Sequence, residues 1–483
     1  MRRLLLLSVL LLQATSAAAQ IPVGEYAARR DSLAAHVRDG VVLAFGARAP
    51  VDDLGAFRQY PAFQYLTGFG EVDAAFVMVV RGGRVAETML YAPSRDARRA
   101  LYDGFLPDSA VVLRELGVAL RTMEHLRPTV DAQLAVGAPL WYLHDVATSD
   151  ALHTDSLTRG HAFLRQLAAA HPALDVRDAH PVLDSLRVVK SPAELALLRR
   201  AIDITMQGFD SVFRMIRPGV TEAQVQAVAE HAWRMAGADG PAFGSIVASG
   251  PNSTRYHYRA GKRVLQAGEV MVMDLGALYE GYAADVTRTV PVSGQWTPDQ
   301  RAVYQLVRDA QAAGEREMKP DATMDAGHRA VRRVLGDGLA ALGLVESPEA
   351  RFDPPWPANC ERSTLSCQQA FLYMAHGPGH GIGLEVHDPG GYSTSPTGRF
   401  HLGEVFTLEP GVYISTTLLD MLPDTPRNRA FIAKVRPVVE RYNHIGVRIE
   451  DDYLITPDGA EWLSRGPREA AEIERAMGAR PRS

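Results

Sequence analysis

A run of thirteen residues, from His376 to Asp388, places the strongest constraint on how this chain can fold. It holds three histidines, His376, His380 and His387, among four glycines. Neutral imidazole is the commonest metal-ligating side chain, and glycine lets a metal site or a substrate come close to the backbone. A lone histidine would most often be a core residue. Three in this setting predict a site whose carboxylate partners must be brought in from elsewhere in the chain.

Two aspartates provide the first pair of partners. Asp274 and Asp285 each lie in an apolar, strand-like segment, with a turn around Glu280 and Gly281 between them. A hairpin would place residues eleven apart on one side of a sheet, where facing like charges and unpaired buried carboxylates are both costly. A metal ion between the carboxylates relieves both costs, and a buried arginine is the alternative.

Two glutamates in strand-like contexts, Glu409 and Glu450, complete the set. Each alone would more often be a salt-bridge partner than a ligand. Together with Asp274, Asp285 and His380 they predict an oxygen-rich site for two divalent ions such as manganese, cobalt or zinc. Two such ions, ~3.5–4 Å apart in the general case, activate a bridging water for hydrolysis.

The length of the chain and the order of its predicted elements indicate two domains. At 483 residues the chain exceeds the size at which one hydrophobic core keeps growing. Before residue 184 strand and helix signals alternate, which predicts an α/β layer architecture, and the aromatic segment from Phe63 to Phe69 is expected to be core, with Gly68 turning the chain. The strand signals lie at residues 41–45, 74–80, 88–91 and 134–137.

After a boundary at residues 184–192 the pattern changes to long helices and then strands. Ser191 and Glu194 predict a capping box that starts one helix, and Thr221 and Gln224 start a second. Helices segregated from largely antiparallel strands are typical of an α+β domain. Further helices are predicted over residues 299–318 and 324–342, and strands over residues 245–248, 270–275, 283–292, 405–408 and 447–455.

The first nineteen residues predict export. Arg2 and Arg3 precede an apolar run that is too short to span a bilayer, and small residues follow it as a cleavage site. A membrane anchor left uncut is the alternative. The mature protein is expected in the periplasm or outside the cell, with no membrane span. The whole chain has a formal net charge of −5, and losing Arg2 and Arg3 makes it more acidic, which argues against a nucleic-acid partner.

Cys360 and Cys367 are the two cysteines of the chain, and six residues separate them in a proline-rich stretch. In an exported protein this spacing favours a local disulfide. The alternative, metal ligation, lacks companion ligands in that stretch.

The five positions Asp274, Asp285, His380, Glu409 and Glu450, in this order, resemble the ligand pattern of the pita-bread metallopeptidases, which include aminopeptidase P, prolidase and methionine aminopeptidase. The resemblance implies that Asp285 and Glu450 bridge two metals, that Asp274 completes the shell of one, and that His380 and Glu409 complete the other. It also implies that Glu409 is the general base for the attacking water.

The resemblance extends to residues that are not ligands. His257 and His387 match histidines of aminopeptidase P that orient substrate and stabilise the tetrahedral intermediate, and His376 matches a third active-site histidine. Arg448 and Tyr413 fall on family positions near the substrate. The segment from Tyr65 to Phe69, with Asp73 and Ala74 after it, resembles the N-terminal domain of aminopeptidase P, which covers the catalytic domain and builds oligomers.

We therefore expect an α+β pita-bread catalytic domain over residues 186–470, preceded by a smaller α/β domain over 20–185 and followed by a tail over 471–483. The expected activity is metal-dependent release of the N-terminal residue from proline-containing peptides. The expected cofactor is two divalent ions, Mn(II) before Co(II) or Zn(II), and the expected assembly is a homodimer or homotetramer. The segment from Tyr413 to Val447 resembles prolidases, so an Xaa-Pro dipeptidase is the alternative. A metal-free creatinase-like hydrolase or binding pseudoenzyme is a further one.

Overall fold

The structure is a computed structural model, and it describes residues 20–50, 57–145, 158–361, 365–390 and 397–478. The predicted export signal and the last five residues of the predicted tail lie outside the described residues. Among the residues that are described, no helix combines the length and the apolar character needed to cross a membrane.

The first domain is a mixed sheet covered by helices, which confirms the predicted α/β layer. Its six strands lie in the order β4-β3-β2-β1-β5-β6; β1 pairs antiparallel with β2 and parallel with β5, and β5 pairs parallel with β6. In chain order the elements are α1 Val23–Val37, β1 Gly40–Phe45, α2 Pro61–Thr67, β2 Ala75–Arg81, β3 Arg84–Ala92, α3 Ala97–Asp103, α4 Ser109–Leu116, β4 Ala119–Thr122, α5 Leu126–Ala135, β5 Leu140–Leu143, α6 Arg159–Ala170, β6 Val176–Asp178 and α7 His180–Arg187.

One predicted strand of this domain is wrong. Residues 134–137 do not form a strand, because Leu134 lies in the last turn of α5 and continues the apolar row of Leu126 and Val130 at intervals of four residues. The chain turns at Gly137, where φ is +80°, and β5 begins at Leu140. An apolar run this short fits a helix end and a strand equally well when it is read alone.

The aromatic segment is core, as predicted. Phe63, Tyr65 and Leu66 are buried on α2, and the helix ends at Gly68, whose φ of +64° turns the chain. A Cβ at Gly68 would lie 2.4 Å from the ring of Tyr26, so only glycine lets α2 end there.

The second domain has four small antiparallel sheets framed by helices, which confirms the predicted α+β class. Its helices are α8 Pro192–Phe213, α9 Glu222–Met235, α10 Pro298–Glu315, α11 Met324–Ala341, α12 Thr416–Asp420, α13 Pro426–Arg441 and α14 Ala470–Gly478. Its strands are β7 Gly240–Pro241, β8 Ile246–Ser249, β9 Val270–Leu275, β10 Ala277–Tyr279, β11 Tyr282–Ala283, β12 Val286–Pro291, β13 His380–Gly381, β14 Asp388–Gly390, β15 Val405–Leu408, β16 Gly411–Ile414, β17 Ile445–Arg448, β18 Asp451–Thr456 and β19 Gly459–Trp462. Short 3₁₀ helices lie at Met123–His125, Gly250–Thr254, Leu365–Cys367 and Gln369–Tyr373.

Local sequence signals determine where the first two helices of this domain begin. The amide of Glu194 donates to the Ser191 hydroxyl at 3.1 Å, and the Ser191 amide donates back to the Glu194 carboxylate at 3.0 Å. Thr221 and Gln224 make the same reciprocal pair at the start of α9. Both predicted capping boxes are confirmed.

Two predicted strands are interrupted, and each interruption carries one of the predicted ligands. The segment 283–292 divides into β11 and β12, with Asp285 between them, and the segment 447–455 divides into β17 and β18, with Glu450 between them. In both cases the chain passes from one sheet into another at the break. The register pairs Thr287, not Asp285, with Asp274, so the two aspartates lie diagonally instead of directly opposite.

The two domains share a hydrophobic core, which holds the first domain against the second. This core joins Leu33, Phe63 and Leu66 to Tyr282, Ile382 and Leu384, among other residues. At the far end of the chain, α14 buries Ile473 and Met477 in the core of the second domain, and the predicted start of the tail at residue 471 falls inside this helix. Cys360 and Cys367 form the predicted disulfide.

A fully buried ion pair lies beneath the interrupted strands. The guanidinium of Arg288, on β12, donates to the Asp451 carboxylate at 2.7 Å and to the backbone carbonyls of Thr287 and Glu450 at 3.0 and 2.8 Å. Arg288 therefore joins β12 to the start of β18 from within the core.

We expect Arg288→Met to lower the free energy of unfolding by about 3–5 kcal/mol, because Asp451 would lose a charge partner in the interior. The matched control is Arg301→Met, which removes an ion pair with Glu474 whose arginine side chain is 45% exposed, and it should cost less than about 1 kcal/mol. Urea unfolding of the two variants measures the difference. Equal losses would contradict a structural role for the buried pair.

Candidate metal centre and active site

One cavity of about 1390 Å³ collects almost all of the predicted site residues. It is lined by the five predicted ligands and by His257, His376, His387 and Arg448. Tyr413 lies behind this lining, where its hydroxyl contacts His376 and Arg448. Positions that span more than 190 residues of sequence are thus neighbours in the fold.

The ring of His380 presents an unprotonated nitrogen to three carboxylates. Its Nδ1 lies 3.0 Å from the carbonyl oxygen of Gly381, which can only accept, so Nδ1 carries the proton and Nε2 carries the lone pair. Nε2 lies 3.5 Å from Asp285 Oδ2, 3.6 Å from Glu409 Oε1 and 3.8 Å from Glu450 Oε1. A lone pair that faces carboxylate oxygens is repelled by them unless a cation lies between.

The carboxylates show the same deficit of positive charge. Oδ1 of Asp274, Oδ1 of Asp285 and Oε1 of Glu450 are buried without a hydrogen-bond partner among the described residues. Buried polar atoms are normally partnered. Asp285, His380 and Glu450 offer ligand atoms that all lie within 4.8 Å of one another. The donors present therefore fit divalent cations, in a mainly oxygen environment.

The titration of these acids follows from their crowding. Burial raises the pKa of Asp285 well above its usual range, and the carboxylates of Glu450 and Asp274 raise it further. Burial also raises the pKa of Glu450, with Glu409 and Asp274 adding to the effect. The pKa of Glu409 is raised to about 8, mainly by burial and against the influence of Arg448. Without a cation these groups hold protons at neutral pH.

Arg448 provides a positive charge and hydrogen-bond donors to the acidic cluster. Its buried guanidinium donates to Asp274 Oδ2 at 2.5 Å, to the Thr287 hydroxyl at 3.1 Å and to the Tyr413 hydroxyl at 2.9 Å. Thr287 in turn donates to Glu450 Oε2 at 2.8 Å. Asp274 therefore has room for both predicted partners. One of its oxygens accepts from Arg448, and the other, which has no partner among the described residues, is left for a metal ion.

His376 is held in a single tautomer. Its Nδ1 lies 2.7 Å from the Gly377 carbonyl and therefore carries the proton, so Nε2 accepts from the Tyr413 hydroxyl at 3.0 Å. Burial, with Arg448 beside it, lowers the pKa of His376 to about 3. The imidazole is neutral, and with both ring nitrogens engaged it positions Tyr413 and Arg448.

His387 is exposed at the cavity wall, with its ring centre 4.5 Å from that of His380. The next residue, Asp388, is buried and pairs with Arg187 at 2.5 Å and with Lys190 at 2.9 Å. Burial would raise the pKa of Asp388, but the two cations hold it below its usual value. The segment between the domains therefore fixes the backbone that carries His387.

The glycines around His380 have a second role besides the one predicted. A Cβ at Gly379 would lie 2.1 Å from the Thr407 carbonyl oxygen, and one at Gly381 would lie 2.7 Å from the Asp388 carbonyl oxygen. These glycines let β13 pack closely against β15 and β14. Gly377 and Gly379 also line the cavity, where they leave the room expected for metal and substrate.

Two further residues at the site carry no signal that could be recognised in the sequence. Arg332, on α11, donates to the His376 carbonyl at 3.1 Å and lines the cavity, and Tyr256 packs its ring 4.6 Å from that of Tyr413. Arg332 belongs to no recognisable sequence motif, and the pattern of its helix indicates only core packing. Tyr256 is the neighbour of His257, which is exposed on a loop at the cavity edge.

The chain is similar to known proteins over nearly its whole length. Residues 196–457 match the family model for metallopeptidase family M24, and residues 26–138 match the model for the aminopeptidase P N-terminal domain. A Xaa-Pro aminopeptidase of Haemophilus influenzae is 30% identical over 95% of this chain and 98% of its own. Aminopeptidase P of Escherichia coli, solved with the inhibitor Pro-Leu, is 27% identical, covers 95% of this chain and 99% of its own, and has a TM-score of 0.76. The zinc-substituted E. coli enzyme in complex with product, also 27% identical, covers 96% and 100% with a TM-score of 0.76.

We expect the metal-stripped protein to lose stability as the pH rises from about 5 to about 8. Over this range the folded state keeps a proton on Glu409, because its pKa is raised to about 8, whereas the unfolded chain has released it, so each retained proton contributes a slope of up to about 1.4 kcal/mol per pH unit. Urea unfolding after chelation measures the slope. Glu409→Gln should flatten it, and an unchanged slope in that variant would contradict this assignment.

Proposed function

We propose that this chain, which belongs to metallopeptidase family M24, is a metal-dependent exopeptidase that hydrolyses the bond before proline and releases the N-terminal residue of its substrate. The family match and the Xaa-Pro aminopeptidase relatives that align over nearly their whole length confirm the predicted family and this activity. The observation that carries the proposal is the group of buried carboxylates beside the unprotonated nitrogen of His380, three of whose oxygens have no hydrogen-bond partner among the described residues, in a cavity wide enough for a short peptide.

The five ligands are proposed in the roles that the resemblance implies. Asp285 and Glu450 would each hold both ions, Asp274 would hold one of them, and His380 and Glu409 would hold the other. Two divalent ions held there would supply an activated water and polarise the scissile carbonyl. Manganese is the proposed native metal because most of the donors are carboxylate oxygens. Zinc is a workable substitute, since the similar E. coli enzyme has been solved with it.

The remaining side chains are proposed to manage protons and charge. Glu409 accepts the proton of the attacking water and passes it to the departing proline nitrogen. His387 and His257, on the cavity wall, are placed to orient the substrate and to stabilise the developing oxyanion. Arg448 and Tyr413 hold Asp274 and His376 in place, and Arg448 borders the substrate while Tyr413 supports that arginine from behind the cavity wall.

An Xaa-Pro dipeptidase is the second candidate, and one feature favours it. Between the paired strands β16 and β17 the chain inserts α12 and α13, in the segment that resembles prolidases. A metal-free creatinase-like hydrolase or binding protein is disfavoured because all five ligand positions are present and three carboxylate oxygens lack a partner in the part of the chain that is described.

We also propose that the chain is exported and that it assembles with copies of itself. Export rests on the composition of residues 1–19, and the disulfide between Cys360 and Cys367 suits an oxidising compartment. Assembly as a dimer or tetramer rests on an apolar patch of the first domain, Leu101, Tyr102 and Phe105, whose side chains are 86%, 77% and 83% exposed. Clustered exposed apolar side chains of this kind mark interaction surfaces.

Substrate length separates the two peptidase candidates. With manganese present, we expect the protein to release arginine from Arg-Pro-Pro and to act weakly, if at all, on the dipeptide Gly-Pro. Chromatography of the products measures both reactions in one preparation whose metal content is determined in parallel. Cleavage of Gly-Pro alone would contradict the aminopeptidase proposal, and a preparation that is active without bound metal and insensitive to EDTA would contradict both.

The histidine and aspartate variants separate catalysis from metal binding. His387→Ala should lower turnover about 10²–10³-fold while metal content stays near that of the wild type, because His387 contacts substrate and not metal. Asp285→Ala should abolish activity together with bound metal. His231→Ala, an exposed histidine on α9, is the matched control and should change neither. Loss of metal from His387→Ala would contradict the role assigned to it.

A further inference from the structure

A second group of potential ligands lies in the first domain, well separated in sequence from the active-site cavity. It forms where the parallel strands β5 and β6 end. Their register pairs Tyr142 with Asp178, and His144 and His180 each follow two residues later on neighbouring segments. The carboxyl ends of parallel strands are where open α/β sheets bind ligands.

Two of the three distances among these groups match those of a bound transition metal. Oδ1 of Asp178 lies 3.5 Å from Nε2 of His144 and 3.5 Å from Nδ1 of His180, and each of the three residues offers a ligand atom within 4.8 Å of the others. With bonds of ~2.0–2.2 Å, the ligand atoms of a tetrahedral zinc site lie ~3.3–3.5 Å apart. A cation between these atoms therefore requires little movement of the backbone.

The protonation of the group also suits a cation. The backbone amide of His144 lies 3.3 Å from Nδ1 of His180 and can only donate, so that nitrogen is unprotonated, and a cation would replace this long contact. The amide of His180 donates to Oδ1 of Asp178 at 2.9 Å and orients the carboxylate. The two imidazoles stack with centres 4.9 Å apart, where two imidazolium charges would repel.

A third imidazole borders the group. His161, in the first turn of α6, stacks on His144 with ring centres 6.1 Å apart, and Thr158 holds its Nδ1 at 2.9 Å. The side chains of His144 and His180 are 16% and 12% exposed and that of Asp178 is 48% exposed, so the group is formed by the fold and yet is reachable from solvent.

We propose that His144, Asp178 and His180 form a separate metal site that binds one borderline divalent ion, zinc above all, with water or His161 in the fourth position. Two imidazoles and one carboxylate select zinc, nickel or copper, whereas the oxygen-rich centre of the second domain suits manganese. The site ties β5 to β6 and to the first residue of α7. The last residue of α7 is Arg187, which pairs with Asp388 beside His387, so zinc would strengthen the support of the active-site loop.

The test compares zinc binding in four forms of the full chain: wild type, Asp285→Ala, His144→Ala/His180→Ala and the triple variant. Manganese is supplied first and its content is measured. Zinc equilibrium dialysis with elemental analysis should then find one more tight zinc in each form that keeps His144 and His180 than in the matched form that lacks them, because zinc can also replace manganese in the catalytic centre. Loss of both ligands should weaken that zinc by at least the order of 10–100-fold that second-shell changes cost. The manganese content of His144→Ala/His180→Ala should stay that of the wild type.

His36→Ala, an exposed histidine of the same domain, is the matched control and should bind zinc as the wild type does. Circular dichroism checks folding, and Asp178→Asn replaces the double variant if that variant unfolds. Equal zinc affinity with and without His144 and His180 would overturn the site. The zinc comparison is made with and without Asp285. Its result can therefore be interpreted even if the proposed catalytic metal centre is wrong.

Discussion

Mutual repulsion among inward carboxylates is the constraint around which the second domain is built. Asp285, Glu409 and Glu450 each place an oxygen within 3.8 Å of Nε2 of His380. One oxygen of Asp274, the other oxygen of Asp285 and the same Glu450 oxygen are buried without a hydrogen-bond partner among the described residues. Proteins tolerate such a cluster only where a cation or shared protons offset the charge. The raised pKa of Asp285 and of Glu450 expresses this cost, and the metal centre is its resolution.

Buried arginines keep the ligands in place while the charge is unbalanced. Arg448 reaches Asp274 directly and Glu450 through Thr287, and Arg288 holds the backbone of Glu450 from below. Buried ion pairs add little net stability compared with apolar packing, but removing one partner is expensive. Here the ion pairs fix the positions of the ligand residues, since each guanidinium holds its carboxylate or backbone in one geometry before a metal binds.

Buried ion pairs also hold the two domains together. Arg187 and Lys190 leave the first domain and pair with Asp388, which follows His387, while a shared hydrophobic core seals the contact. The first domain is thereby part of the active site's support and not only a cover. A zinc ion at His180 would act on the opposite end of the helix that carries Arg187, which links the two metal sites mechanically without contact between them.

The candidate site could be predicted from the sequence in part, because metal-binding residue types and the family's ligand order are both visible there. The structure brings Asp274, Asp285, His380, Glu409 and Glu450 to one cavity, and the helix start at Ser191 follows from its capping box. The breaks at Asp285 and Glu450 could not be predicted, since only the neighbouring sheets decide where the chain changes partners. Leu134 shows the same limit, because a short apolar run fits a helix end and a strand equally well.

The sequence by itself determined which groups are available, the two-domain order and the starts of the main helices, because these follow from residue chemistry and local backbone preference. Only the tertiary structure decided that the glycines beside His380 serve strand packing, that Arg448 and a cation divide the oxygens of Asp274, and that His144 and His180 are neighbours. Each of these depends on segments far apart in the chain whose distance is set by sheet register and by packing of the shared core. Such distances cannot be predicted from the local sequence.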